Sequence, residues 1–238
     1  MIQNLPTYIV ITFILTTVVT LLLFFGIIRN SDSDKMRKKS KPILIGLIIW
    51  LTAQMALTLS HFYSQNLSAF PPKLFIFGIL PPLLLIILLL VTKNGREFTD
   101  SLPLENITYL NIIRIPVELV LYWLFIEKEI PELMTFEGRN FDILSGISAP
   151  IVAYLVFTKR KLSHNFLLIW NLICLGLLVN IVTNALLSAP FSIQKLAFEQ
   201  PNVAVLYFPF SWLPTFIVPV VLFGHLVSIR QLIIKKDF

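Results

Sequence analysis

Ile107-Thr-Tyr-Leu-Asn-Ile-Ile-Arg-Ile-Pro-Val-Glu-Leu-Val-Leu-Tyr-Trp-Leu-Phe-Ile126 decides how this chain is read. As a helix rising 1.5 Å per residue, the run covers about 30 Å, the hydrocarbon thickness of a bilayer. Near its middle stand Arg114 and Glu118, where one charge costs roughly 2.5–3.5 kcal/mol on insertion scales. Such groups turn toward a bundle interior or a wet cavity, not toward lipid. Their i, i+4 spacing places them on one face, and mutual neutralisation is the expectation. Asn111 and Tyr122 extend the same stripe at steps of three and four. Pro116 frees the Ile112 carbonyl for another partner. The functional expectation is a ligand or proton-coupling centre, with Arg114 as anion anchor and Glu118 as carboxylate partner. The alternative is a structural ion pair that fixes helix register.

Outward from that run, the chain has the same character. Of its 238 residues, 56% are apolar and 13% are charged, about half the charge of a soluble domain. Seven stretches are apolar enough to cross: 8–28, 43–63, 74–92, 107–126, 143–157, 165–187 and 205–229. The fifth is the shortest and is interrupted by Ser145, Gly146, Ser148 and Pro150. Basic residues give the sidedness, because cytoplasmic loops are rich in Lys and Arg. Fourteen of the 19 fall in alternate connections (Arg29 to Lys41, Lys93 and Arg96, Lys159 to Lys161, and Arg230 with Lys235 and Lys236), against four on the other side. The expected fold is therefore all-α: a single integral-membrane domain over residues 1–238, a seven-transmembrane-helix bundle with the N-terminus outside and the C-terminus cytoplasmic. A multi-pass protein of the plasma membrane follows. Met1 to Pro6 lacks the basic start of a signal peptide, so the first span is expected to remain as an anchor.

Phe75-Ile-Phe-Gly-Ile-Leu-Pro81 in the third span lines up with Phe208-Pro-Phe-Ser-Trp-Leu-Pro214 in the seventh, and Leu47-Ile-Ile-Trp50 echoes Leu167-Leu-Ile-Trp170. Both pairs lie four spans apart, as parallel repeats in a 3+1+3 arrangement require. Polar stripes run along three further spans: Trp50, Gln54, Thr58 and His61 in the second; Gly176, Asn180 and Asn184 in the sixth; Ser211, Thr215 and His225 in the seventh. Together with the fourth span they would line one pocket. The competing reading is interhelical hydrogen bonding, worth about 0.6 kcal/mol per contact. Prolines at 81, 82, 116, 150, 209, 214 and 219 predict kinks or hinges. The longest outer connection, 127–142, holds five carboxylates and is expected to be a solvated face or a cation-attracting vestibule.

Three histidines, with two on opposite sides, cannot form a zinc site, so no metal and no cofactor are expected. Cys174 stands alone and can form no intramolecular disulfide. No phosphate-cradling glycine loop or nucleophile elbow is present, which leaves an enzymatic reaction without an obvious carrier. The last span has no lysine for a retinal Schiff base. The leading expectation is binding or transport of a small solute, slightly favoured as anionic, at Asn111, Arg114, Glu118, Tyr122, Gln54, Asn180, Asn184 and His225. Two rivals stand beside it: a membrane-embedded enzyme acting on a lipid or isoprenoid through Glu118 or His225, and a non-catalytic sensor or assembly subunit. The surroundings are the lipid bilayer, with no nucleic acid.

Overall fold

A computed structural model describes residue 2 and residues 5–234. Lys235 and Lys236, counted above among the basic connections, lie outside the described residues, as do Met1, Gln3 and Asn4 of the N-terminal segment. Among the described residues every regular element is helical. In order they are α1 (Thr7–Arg29), the short α2 (Asp34–Arg37), α3 (Ser40–Leu59), α4 (Leu80–Val91), α5 (Lys93–Asp100), α6 (Leu104–Leu110), α7 (Arg114–Ile126), α8 (Ile143–Ala153), α9 (His164–Ser188) and α10 (Val218–Ile234). A 3-10 turn at Asn111–Ile113 joins α6 to α7, and π turns precede α4 and α10 and follow α8.

Five helices are long and apolar enough to cross a membrane: Thr7–Arg29, Asp34–Leu59, Leu104–Ile126, His164–Ser188 and Leu213–Ile234. A sixth is added if Phe75–Val91 and Lys93–Asp100, bent by 90° at Thr92, count as one span. This is a multi-pass membrane architecture. The expected fifth span, 143–157, is a shorter apolar helix, Ile143–Thr158, of about 24 Å. The last span also differs from its expected bounds: Phe208 to Ser211 form turns, and the membrane-length helix begins at Leu213. Burial ranks the spans. The last is 61% buried and lies at the centre, whereas α3 is 17% buried and lies at the edge.

The connection 127–142 is a solvated face only in part. Glu127, Glu132 and Glu137 are exposed, but Ile130, Met134, Thr135, Asn140 and Asp142 are buried, so the segment folds into the bundle. It delivers Asp142 to Arg114, which lies about 18 Å along α7 from the Ile126 end. Gly146 makes the approach possible: a Cβ there would meet Ile115 Cγ1 at 2.9 Å and Arg114 Cβ at 3.3 Å. α8 thus starts beside the middle of the span Leu104–Ile126, in keeping with its short length.

Proline inside a helix clashes with the carbonyl four residues earlier, and two such carbonyls find named partners. Pro81 frees Phe77, whose oxygen accepts from Gln54 Nε2 at 3.1 Å. Pro219 frees Thr215, whose oxygen accepts from Trp50 Nε1 at 2.9 Å. Each freed carbonyl lies within a π turn, Phe75–Ile79 or Leu213–Ile217, and α3 supplies both donors.

Candidate functional site

The fourth span does not hold its charges as a pair. Arg114 Nη1 lies 2.5 Å from Asp142 Oδ1 and 3.4 Å from the Cys174 carbonyl, and Nη2 lies 2.8 Å from His225 Nε2. Glu118 instead accepts from Asn140 Nδ2 at 2.6 Å. An Asp142 brought in from the connection offers a rigid, close contact, whereas Arg followed by Glu at i+4 is the weaker order along a helix. Arg114 and Glu118 are 3% and 1% exposed, so both are inside the bundle rather than among headgroups or lipid.

Hydrogen bonding fixes the state of His225. Arginine only donates, so Nε2 presents its lone pair and Nδ1 carries the proton. Nδ1 lies 2.9 Å from Asn171 Oδ1, and the Asn171 amide is oriented by its donation to the Leu167 carbonyl at 2.9 Å. Both ring nitrogens of His225 are thereby engaged, and the side chain is fully buried. The Arg114 Nε–H is buried without a partner. Asn140 ties the connection together by donating to Met134 O while its Oδ1 accepts from the Asp142 N–H.

A second polar interior lies around α3. Gln54 Oε1 accepts from the Tyr63 hydroxyl at 2.5 Å, and Thr58 Oγ1 lies 2.8 Å from Ser211 Oγ. This cluster carries no formal charge. The Ser211 hydroxyl, in the turn before the last span, and the Thr215 carbonyl meet α3, while His225, farther along that span, meets Arg114 of α7 and Asn171 of α9. The expectation of one shared pocket is thus corrected to two interiors, because a helix that packs against neighbours on both sides sends its polar groups to each.

The other expected residues separate as well. Asn111 is buried but donates back to Ile107 and Thr108, and its Oδ1 has no partner. Tyr122 stacks on Phe136 of the 127–142 connection with ring centroids 5.0 Å apart, away from Arg114. Gly176 and Asn180 are exposed, and Asn180 donates to Arg139 O on the surface; Asn184 is buried and reaches Asn180 Oδ1 only at 3.5 Å. The inward stripe of α9 is Asn171, Cys174, Leu178 and Ile181. Sequence reasoning missed Asn140, Asp142 and Asn171. A usable signal for the last existed: Asn171 sits three residues before Cys174 on the stripe that continues through Leu178.

A cavity of about 360 Å³ reaches this cluster from between α4 and α9. Leu83, Val117, Leu178, Ile181, Phe191 and Val218 form part of its apolar wall, while Glu118, Asp142 and Asn202 supply its polar side chains. Phe70 at its border is 76% exposed. Arg114 does not line it.

Residues 71–233 match the family model described as Domain of unknown function (DUF8737), well over half of the chain. The chain belongs to this family. The DUF8737 region contains Arg114, Glu118, Asn140, Asp142, Asn171 and His225, and it excludes Trp50 and Gln54, so the charged interior lies within the family's domain while α3 packs onto it from outside. No curated protein and no solved structure matches the chain.

Proposed function

We propose that the chain is a plasma-membrane protein, one seven-helix domain with the N-terminus outside and the C-terminus cytoplasmic, that binds a small amphiphile between its helices and transports it. The cavity carries this reading: apolar walls end on Glu118, a carboxylate whose described hydrogen bond comes from a neutral amide. Arg114 and Asp142 neutralise each other. Glu118 is then the buried carboxyl of the cavity with no basic group bonded to it, and it favours a ligand whose buried end is cationic or donates hydrogen bonds, rather than the anion that Arg114 alone suggests. Ionising a buried carboxyl without a counter-charge is costly, so a ligand that supplies the opposite charge, or a hydrogen-bond donor, suits this position.

Matched probes test this. The purified chain is titrated with decyltrimethylammonium and with decanoate, each below its micelle concentration, and thermal stabilisation is recorded. The cation is expected to bind at least about fivefold more tightly, and Glu118→Gln to remove that preference, since hydrogen bonds and contacts to a charged group are about twice as strong as neutral ones. Equal binding of the two probes, or an unchanged preference in the variant, rejects the reading. Topology is tested separately: in a Cys174→Ser background, an impermeant maleimide added to intact cells should label Glu137→Cys and spare Lys38→Cys. The opposite pattern inverts the orientation.

A further inference from the structure

The larger cavity is elsewhere, and it does not depend on the Glu118 site. It measures about 690 Å³ and opens between the basic-side halves of α3 and α4, against α10. Its walls include Ile43, Leu47, Leu85, Leu89, Phe216 and Phe223. The helices part here for a definable reason. The hydrogen bonds that tie α3 to the last span and the turn before it run from the middle of α3 outward: Trp50 Nε1 donates to Thr215 O, Trp212 Nε1 to Leu51 O, and Thr58 Oγ1 meets Ser211 Oγ. The 90° bend at Thr92 then carries α5 out of line with α4. The space is many times the roughly 10–15 Å³ that one water needs, and its apolar walls bind water poorly. A hydrocarbon chain is the better filling.

The mouth of this cavity carries an excess of basic residues. Lys39 and Asn94 belong to its lining. Around them Lys35 is shared with Glu97 at 3.8 Å, and Arg37 is paired with Asp34. Lys38, Lys39, Lys41 and Lys93 are exposed and have no ion pair among the described residues. Basic pockets between spanning helices attract anionic lipid headgroups, at about 1 kcal/mol per basic residue near the surface.

We propose that this cavity is a binding site for an anionic glycerophospholipid of the leaflet on the basic side, with one acyl chain between α3 and α4 and its phosphate at Lys39 and Asn94. Gly46 is a built-in control: it lines the cavity, and no atom lies within 4 Å of where its Cβ would stand. A larger side chain there enters the lipid's space without disturbing the helix packing.

The test uses the full chain in a neutral maltoside detergent, titrated with palmitoyl-oleoyl phosphatidylglycerol and with the phosphatidylcholine of the same chains, and bound lipid is counted by native mass spectrometry. Phosphatidylglycerol is expected to be preferred at least fivefold. Lys39→Gln should lower that preference about fivefold, the factor equivalent to 1 kcal/mol per basic residue, and Lys38→Gln should lower it less. Gly46→Leu should weaken both lipids together. Millimolar inorganic phosphate should displace neither. Equal affinity for the two lipids, an unchanged preference in Lys39→Gln, an unaffected Gly46→Leu, or displacement by phosphate alone each overturns the proposal.

Discussion

The Arg114 cluster and the Gln54 cluster both bury polar groups within the bundle, but they solve different problems. Around Arg114 a full charge must be answered, and Asp142, His225 and the Cys174 carbonyl surround one guanidinium. Around Gln54 and Trp50 the need is created by prolines, and neutral side chains of α3 supply the donors that two broken helices lack. Removing one member of a buried ion pair leaves the other uncompensated. Removing one neutral donor leaves a carbonyl that partly recovers with other partners. The two regions should therefore differ sharply in their response to mutation.

The largest effect is expected at the charged cluster. Arg114→Met should cost about 3–5 kcal/mol in thermal or denaturant unfolding in detergent, because Asp142 remains buried without a counter-charge. Adding Asp142→Leu should recover much of that loss, since an apolar replacement of both partners is often neutral. A double variant as unstable as the single one would show that the pair is not the source of the cost. Gly146→Leu should follow, at about 1–3 kcal/mol, as overpacking forces α8 away from Ile115. An effect near zero would mean that the close approach of α8 is not needed to seat Asp142.

Smaller effects are expected in the neutral cluster. Gln54→Leu removes the donor to Phe77 O and the acceptor for Tyr63, and should cost about 1–2 kcal/mol. Trp50→Phe removes one hydrogen bond and should cost about 0.6 kcal/mol, and no more than about 1.7. If either equals Arg114→Met, the contrast between the two interiors fails. Smallest of all is Glu129 at the surface of the 127–142 connection. Partial burial, and then the neighbouring Glu127, push its carboxyl above the ordinary value. A raised folded-state value means that the contribution of this group is fully present below the unfolded-state pKa and is lost as pH rises through the folded one. Glu129→Gln should therefore be slightly stabilising at neutral pH and indistinguishable from the parent in acid, as stability measured across pH would show.

The helices were legible because twenty-residue apolar runs leave few alternatives, and their observed ends mostly fall within a few residues of the expected ones. The charged helix was legible for the same reason: Arg114 and Glu118 have no place facing lipid. Their partners were not. Asp142 looked like one of five surface carboxylates, and only the fold of the connection, with Gly146 permitting close approach, separates it from Glu132 and Glu137. The i+4 rule suggested Glu118 for Arg114, but a local spacing cannot anticipate a better partner from a distant segment. Asn180 and Asn184 share a stripe with Gly176, yet the helix turns that stripe mostly outward and presents Asn171 and Cys174 instead. Prolines announced breaks without naming the donors, which α3 contributes across the bundle.

The account rests on Asp142, not Glu118, answering Arg114, so that Glu118 is left for a ligand. A double-mutant cycle measures this directly, with Arg114→Met combined in turn with Asp142→Asn and with Glu118→Gln, and unfolding free energies compared in detergent. The account predicts a coupling of about 2–3 kcal/mol for Arg114 with Asp142 and less than about 0.5 kcal/mol for Arg114 with Glu118, on the scale that contacting and non-contacting pairs show. A strong coupling to Glu118 and a weak one to Asp142 would contradict it.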